Sequence, residues 1–170
     1  MRAFLWLSAG HPEHAVPLLE RALSTMREID AAGVASTVAG LLGRGYGLTG
    51  DPAAAIASAE QARSLTTPGD IVSELFWRGA MARGLAATGS TDEAVRLARE
   101  LLEIVSDVDV PEYRFYALTD AAEAKQAAGN LDEARALLEQ ALAESERRWA
   151  TAFVEQATVA LAGVDSSTVA

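Results

Sequence analysis

No cysteine occurs anywhere in the 170 residues. Disulfide staples, thiolate nucleophiles and cysteine-based zinc sites are therefore excluded, and stability must come from packing alone. Histidine is nearly as scarce: His11 and His14 are the only two, and both lie at one end of the chain. No set of nucleophile, base and orienting acid assembles around them, so the chain does not read as an enzyme and no cofactor is expected. Positive charge is short as well, with 14 Lys and Arg against 24 Asp and Glu and a net charge of −10. Direct nucleic-acid binding needs a cationic face, which this sequence nowhere builds. Aromatic residues make up only 6%, yet half of the residues are hydrophobic, enough for a real core in a chain of this length. No run approaches the ~18 apolar residues of a membrane span. No membrane partner is expected, and the chain reads as cytoplasmic. The opening MRAFLWLSAG has too short an apolar core for a secretory leader and ends in Gly10-His11-Pro12, which a repeat explains better.

Regularity takes the place of chemistry. Glycines at 10, 50, 89 and 129 are separated by 40, 39 and 40 residues. Five residues after each stands an alanine (Ala15, Ala55, Ala94, Ala134), and twelve after each stands Ala22, Ala62, Leu101 or Ala141. A fixed period of this kind is the mark of a repeat architecture. The clearest copy is AAGNLDEARALLEQAL, residues 127–142. Gly129 can end one helix in the left-handed conformation, and Asn130 can cap the next, with Glu133 placed to complete a capping box. Leu131, Ala134, Leu137, Leu138, Ala141 and Leu142 then form one apolar stripe.

Other corners use other starts. Pro12 and Pro52 sit just inside a helix, Asp51 precedes the second as a cap, and Ser90 with Glu93 makes a capping box. Pro17 lies more than a turn in and should bend or delay its helix. Breaks at 30–33, 66–69 and 106–111 separate each helix pair from the next. The expected helices are 1–9, 12–28, 31–48, 52–65, 69–88, 91–105, 111–128, 131–145 and 147–162. No stretch alternates as a half-buried strand would. The class is all-α: about nine helices in stacked antiparallel pairs. One domain is expected over 1–163, with repeats near 1–28, 29–67, 68–107 and 108–146, a terminal helix 147–162 buried through Trp149, Phe153 and Ala157, and a flexible tail 164–170.

The spacing Gly-x4-Ala-x6-Ala, with a small residue seven before the glycine (Ala3, Gly43, Ala82, Ala122) and a large one four before it (Trp6, Tyr46, Leu85), resembles the tetratricopeptide repeat. Two departures are visible: the period is near 40 where that family has 34, and Lys125 stands at the large-residue position of the fourth copy. Longer repeats of this kind are similar to those in bacterial signalling ATPases and transcription regulators and in kinesin light chains. The resemblance implies a right-handed superhelix whose leading helices line an inner groove that binds peptides or protein segments. It implies in turn a regulatory or sensor part of a larger bacterial signalling or transcription protein.

Carried onto this chain, the pattern places Arg44, Arg83 and Glu123 on the inward face, six residues before their corner glycines, with Phe76 and Tyr116 beside them. The two arginines would form a ladder able to grip a carboxylate or phosphate of an extended ligand. The alternative is that Arg83 pairs with Glu123 and Arg44 is solvated. Gly40, Gly79 and Thr119 recur at one position, which suits either a backbone-hugging ligand or tight helix packing. A second function, of another class, is a small-ligand receptor enclosing an apolar molecule near Trp77, Tyr113 and Tyr116.

Three chemical readings are set aside. Gly43-Arg44-Gly45-Tyr46-Gly47 has no preceding strand and no following Lys-Ser/Thr, so it is not a phosphate loop. His11, Glu13 and His14 share a helix start but lack an evident third ligand. Asp92, Glu93, Asp132 and Glu133 lie in first turns, where they oppose the positive end of the helix dipole. The first repeat is truncated and carries Phe4, Leu5, Trp6 and Leu7 together, so that end should be covered by an upstream domain or by a second copy of the chain.

Overall fold

The computed structural model describes residues 2–29, 31–148 and 150–168, the last two by backbone alone. Nine α-helices and no strand occur among them: α1 (Arg2–Ser8), α2 (Pro12–Glu28), α3 (Ala32–Leu48), α4 (Pro52–Leu65), α5 (Ile71–Ala87), α6 (Thr91–Val105), α7 (Pro111–Ala127), α8 (Leu131–Arg147) and α9 (Thr151–Thr168). Each helix packs antiparallel on its neighbour in sequence, which makes the chain an all-α solenoid.

The corners explain the regularity. Gly10, Gly50, Gly89 and Gly129 all have φ between 78° and 85°, the left-handed region in which a side chain is strained. The amide after each glycine donates to the carbonyl five residues back: His11 to Trp6, Asp51 to Tyr46, Ser90 to Leu85 and Asn130 to Lys125. These bonds satisfy carbonyls that a helix end would leave unpaired. Only the Lys125 carbonyl matters to this turn, so a lysine there leaves the fourth corner intact. The following alanines lie beneath the crossing: Ala15, Ala55, Ala94 and Ala134 are each 0% exposed.

Several helix starts differ from the expectation. Asp51 does cap α4, accepting from the Ala54 amide at 3.0 Å. Ser90 and Asn130 make no side-chain cap bond. Their partner glutamates are drawn off by cations: Glu93 pairs with Arg96, and Glu133 accepts from Lys125 Nζ at 2.6 Å. α2 begins at Pro12 and runs through Pro17 without interruption. α8 ends without glycine, with the Ala150 amide donating to Ser145 O at 3.0 Å. α9 begins at Thr151, later than expected, and Trp149 lies outside the described residues.

The expected flexible tail is corrected over 164–168, which continue α9. Val164 is fully buried beside Ala122, Ala134 and Leu138, and Asp165 pairs with Arg135. Local composition is small and polar there; one buried valine and one ion pair outweigh it.

Two layers form. The inner helices α3, α5 and α7 pack on one another, whereas the outer helices α2, α4, α6 and α8 pack chiefly on inner ones. Missing side chains make the inner layer tight: a Cβ on Gly40 would sit 2.7 Å from Phe76 Cβ, and one on Gly43 2.9 Å from Ala80 Cβ. Of the two uses open to these glycines, the structure takes close helix packing.

Candidate functional site

The inner layer brings all five predicted groove residues together, but it engages them with one another. Arg44 on α3 is 3% exposed and Arg83 on α5 is 7% exposed. Both reach one carboxylate, Asp120 on α7. Arg44 Nη1 donates to Asp120 Oδ1, while Arg83 Nε and Nη2 donate to the same oxygen at 3.0 and 2.9 Å. Arg44 also donates to Thr119 Oγ1 at 3.2 Å and lies 4.2 Å above the centre of the Tyr116 ring. Glu123 closes the group by pairing with Arg83. Burial by itself lowers the basicity of the Arg83 guanidinium; the charges of Glu123 and Asp120 more than offset it, so the net shift is upward.

This arrangement corrects the arginine ladder. Two bare guanidinium groups at an apolar helix interface would be too costly, so the fold supplies its own anion. The four charges cancel and leave none to grip a ligand carboxylate through Arg44. The alternative reading is half met: Arg83 does pair with Glu123, but Arg44 is buried and not solvated.

Asp120 escaped the sequence reading, although a signal for it exists. It lies nine residues before its corner glycine, where the two preceding copies have Leu41 and Ala80. An acid at an otherwise apolar repeat position marks a buried charge in search of a cation. Its seat is made by Gly79, since a Cβ there would come 2.5 Å from Asp120 Oδ2.

Phe76 and Tyr116 are buried, at 5% and 2% exposure, with Tyr113 beside them. Phe76 meets Tyr113 edge-on at 5.2 Å. Burial raises the Tyr116 phenol above its ordinary value. α1 covers this cluster. Phe4 stands edge-on to Tyr113 and Tyr116 at 6.5 and 5.8 Å, and the Ser8 hydroxyl lies 2.8 Å from Tyr116 OH. Gln156 Nε2 on α9 donates to Ser8 O at 2.9 Å.

The apolar run of the first repeat is thereby largely covered by the chain itself. Leu7 is 1% exposed, Phe4 enters the aromatic cluster, and Trp6 turns back onto His11 and His14. Only Leu5 stands out, at 61% exposure. The three residues suggested to enclose a small ligand are divided. Tyr116 is buried and Tyr113 partly buried under α1, while Trp77, also buried, bonds to Glu74 at 3.0 Å and lies under Arg78 and Arg63 at a groove bordered by α4 and α6. His11 and His14 are more than half exposed and share Glu13, with no group of three or more ligating side chains able to hold a metal among the described residues.

What remains open on the inner side is a cleft of about 620 Å³. Arg44, Leu48, Arg83 and Glu123 form its floor, and Gln156 and Val159 stand on the α9 wall. Val159, an aliphatic side chain 73% exposed, lines the cleft. No helix among the described residues is long and apolar enough to cross a membrane.

Comparison with known proteins agrees with this geometry. The tetratricopeptide repeat family model matches residues 78–100 and 116–140. No curated protein matches. Two crystal structures of a Podosopora anserina protein, described as a putative kinesin light chain of nearly identical TPR-like repeats, share the fold. One, of a singly substituted form, has 21% identity over 96% of this chain and 93% of that one, with a TM-score of 0.53. The other has 22% identity over 96% and 90%, with a TM-score of 0.54. Glycine corners, buried alanines and paired helices thus follow one plan: the chain has the fold of stacked TPR-like repeats, and two of its stretches match the tetratricopeptide repeat model.

Proposed function

We propose that this chain is a protein-interaction scaffold that binds a peptide or partner segment in the open cleft of its concave side. Repeats of this kind serve as protein-binding scaffolds in general, and they are not built for catalysis. The observation that carries the reading is the cleft beside α9, where Val159 stands exposed over a floor already neutralised by the Arg44, Arg83, Asp120 and Glu123 group. A neutral floor with an aliphatic wall suits a segment held by shape and by its own backbone, not by a strong charge. A place as the regulatory or sensor part of a larger bacterial signalling or transcription protein in the cytoplasm is the setting we propose for it, on the resemblance of its long repeats to those of such proteins. The small-ligand reading has less support, because Trp77 lies away from the two tyrosines.

The test is selection from a random displayed-peptide library against the full chain. Peptides enriched on the unaltered protein should lose at least tenfold in affinity on Val159→Arg and none on Arg99→Ala, whose side chain is 70% exposed. Equal binding to all three proteins would place the binding surface elsewhere.

A further inference from the structure

The two edges of the stack are unlike. At the glycine edge the turns Thr49-Gly50-Asp51, Thr88-Gly89-Ser90 and Ala128-Gly129-Asn130 carry no large apolar side chain. The opposite edge, where each outer helix hands over to the next inner one, is aliphatic. Of the six large hydrophobic side chains that stand exposed among the described residues, four belong to it, from 37% to 63% exposed. They are Ile29 at the end of α2, Val34 in the first turn of α3, Ile71 at the start of α5 and Val110 just before α7. Singly such residues need no explanation, but a row of them does. The turns that carry them adjoin. The hydroxyls of Ser36 on α3 and Ser73 on α5 lie 2.7 Å apart, and Leu75 of α5, Val105 of α6 and Ala117 of α7 share one cluster with Val108. Charge follows the same line. Over 28–34, 66–72 and 106–112 the sequence has six acids and no Lys or Arg. Asp70 caps α5 and Asp109 pairs with Arg148 from outside these turns, while Glu28 and Asp107 stand exposed.

We infer that this edge docks a basic amphipathic helix of a partner protein, laid across the turns so that its aliphatic side chains meet Ile29 and Val34, then Ile71, then Val110. Packed helices sit about 8–10 Å apart, so the steps along the edge have that length. Seven residues of helix advance about 10.5 Å and return to the same face. An extended segment fits poorly: it covers the step in about three residues, and residues three apart point to opposite sides of a strand. The acids between the aliphatic side chains select lysine or arginine on the flanks of the docked helix. A second copy of the chain is disfavoured as the occupant, because it would set these acids against one another. The inference stands apart from the cleft reading, since none of the four aliphatic residues lines the cleft.

The probe is a fluorescein-labelled alanine-based helix of about 22 residues, with leucine at every seventh position and lysine on both sides of the leucine row. Its anisotropy is titrated with the full chain at low and high salt. Ile71→Ser and Val110→Ser, both at exposed positions, should each weaken binding by about tenfold while helical content stays that of the unaltered chain. Glu28→Gln with Asp107→Asn should weaken it too and flatten its salt dependence. A probe with glutamate for lysine should not bind, and Val159→Ser should match the unaltered chain. The inference is overturned if the lysine and glutamate probes bind alike, if neither serine variant at the edge loses affinity, if the two amide substitutions change nothing, or if Val159→Ser loses as much. It is equally overturned if the chain is a dimer in solution that Ile71→Ser turns into a monomer, for a second copy then holds the edge. Each of these failures leaves the cleft reading standing, since that is decided by displayed peptides at Val159.

Discussion

Asp120 takes two guanidinium groups on one oxygen and is itself 3% exposed, so its removal would leave Arg44 held only by Thr119 and the Tyr116 carbonyl. Breaking a buried ion pair from one side costs about 3–5 kcal/mol. Asp120→Ala should therefore lower the stability read from urea denaturation by that amount, and Arg44→Glu, which sets a second acid against it, should do no better. A second residue gives a pH signature. Arg114 donates to both oxygens of Glu144 at 2.7 Å and, against the opposing effect of burial, holds that carboxyl at about 2, below its ordinary 4.5. A depressed carboxylate contributes stability above its unfolded pKa and loses it as the pH falls through the folded one. Glu144→Gln should thus be the less stable form at pH 6, by roughly 1 kcal/mol for a partly exposed pair. The gap should close between pH 4.5 and 2, as read from denaturation midpoints across that range.

At the scale of the helix, the glycines of the inner layer divide into two kinds that composition cannot separate. Gly79 seats the Asp120 carboxylate, whereas a Cβ on Gly33, in the first turn of α3, would meet nothing within 4 Å. Gly79→Ala should cost about 1–3 kcal/mol through crowding, despite the better helix propensity of alanine. Gly33→Ala should raise stability by about 0.5 kcal/mol. Thermal unfolding of the two variants checks both signs. This division also shows what the sequence could and could not disclose. Helix bounds at α2, α4 and α6 were legible because each is bracketed by a corner glycine, a start residue and a stripe, all local signals. The capping boxes at Ser90 and Asn130 were not, since the competition from Arg96 and Lys125 depends on rotamers. The buried end of α9 was hidden for a related reason: Val164 is held by α7 and α8, more than twenty residues away.

For the molecule as a whole, the repeat pattern specified which faces meet but not how far the stack curls. A solenoid ordinarily joins each repeat to its neighbours alone. Here Arg44 reaches across α5 to Asp120, 76 residues on, and Ser8 reaches Tyr116 and Gln156, 108 and 148 residues on. Such pairs leave no periodic trace, and for that reason the candidate groove residues were found by position while their state, buried and mutually neutralised, was not. The bond between Ser8 and Gln156 also bears on the order in which the chain can be written. From Ser8 back to Arg2 along α1 is about 9 Å, and from Gln156 out to Thr168 along α9 is about 18 Å. The two ends of the described chain are thus near enough for a flexible connector of about 15 residues. A circular permutant joined there and opened at the Thr67-Pro68-Gly69 turn should fold with the same helical content and melt within a few degrees of the parent, its first and last repeats having become its middle.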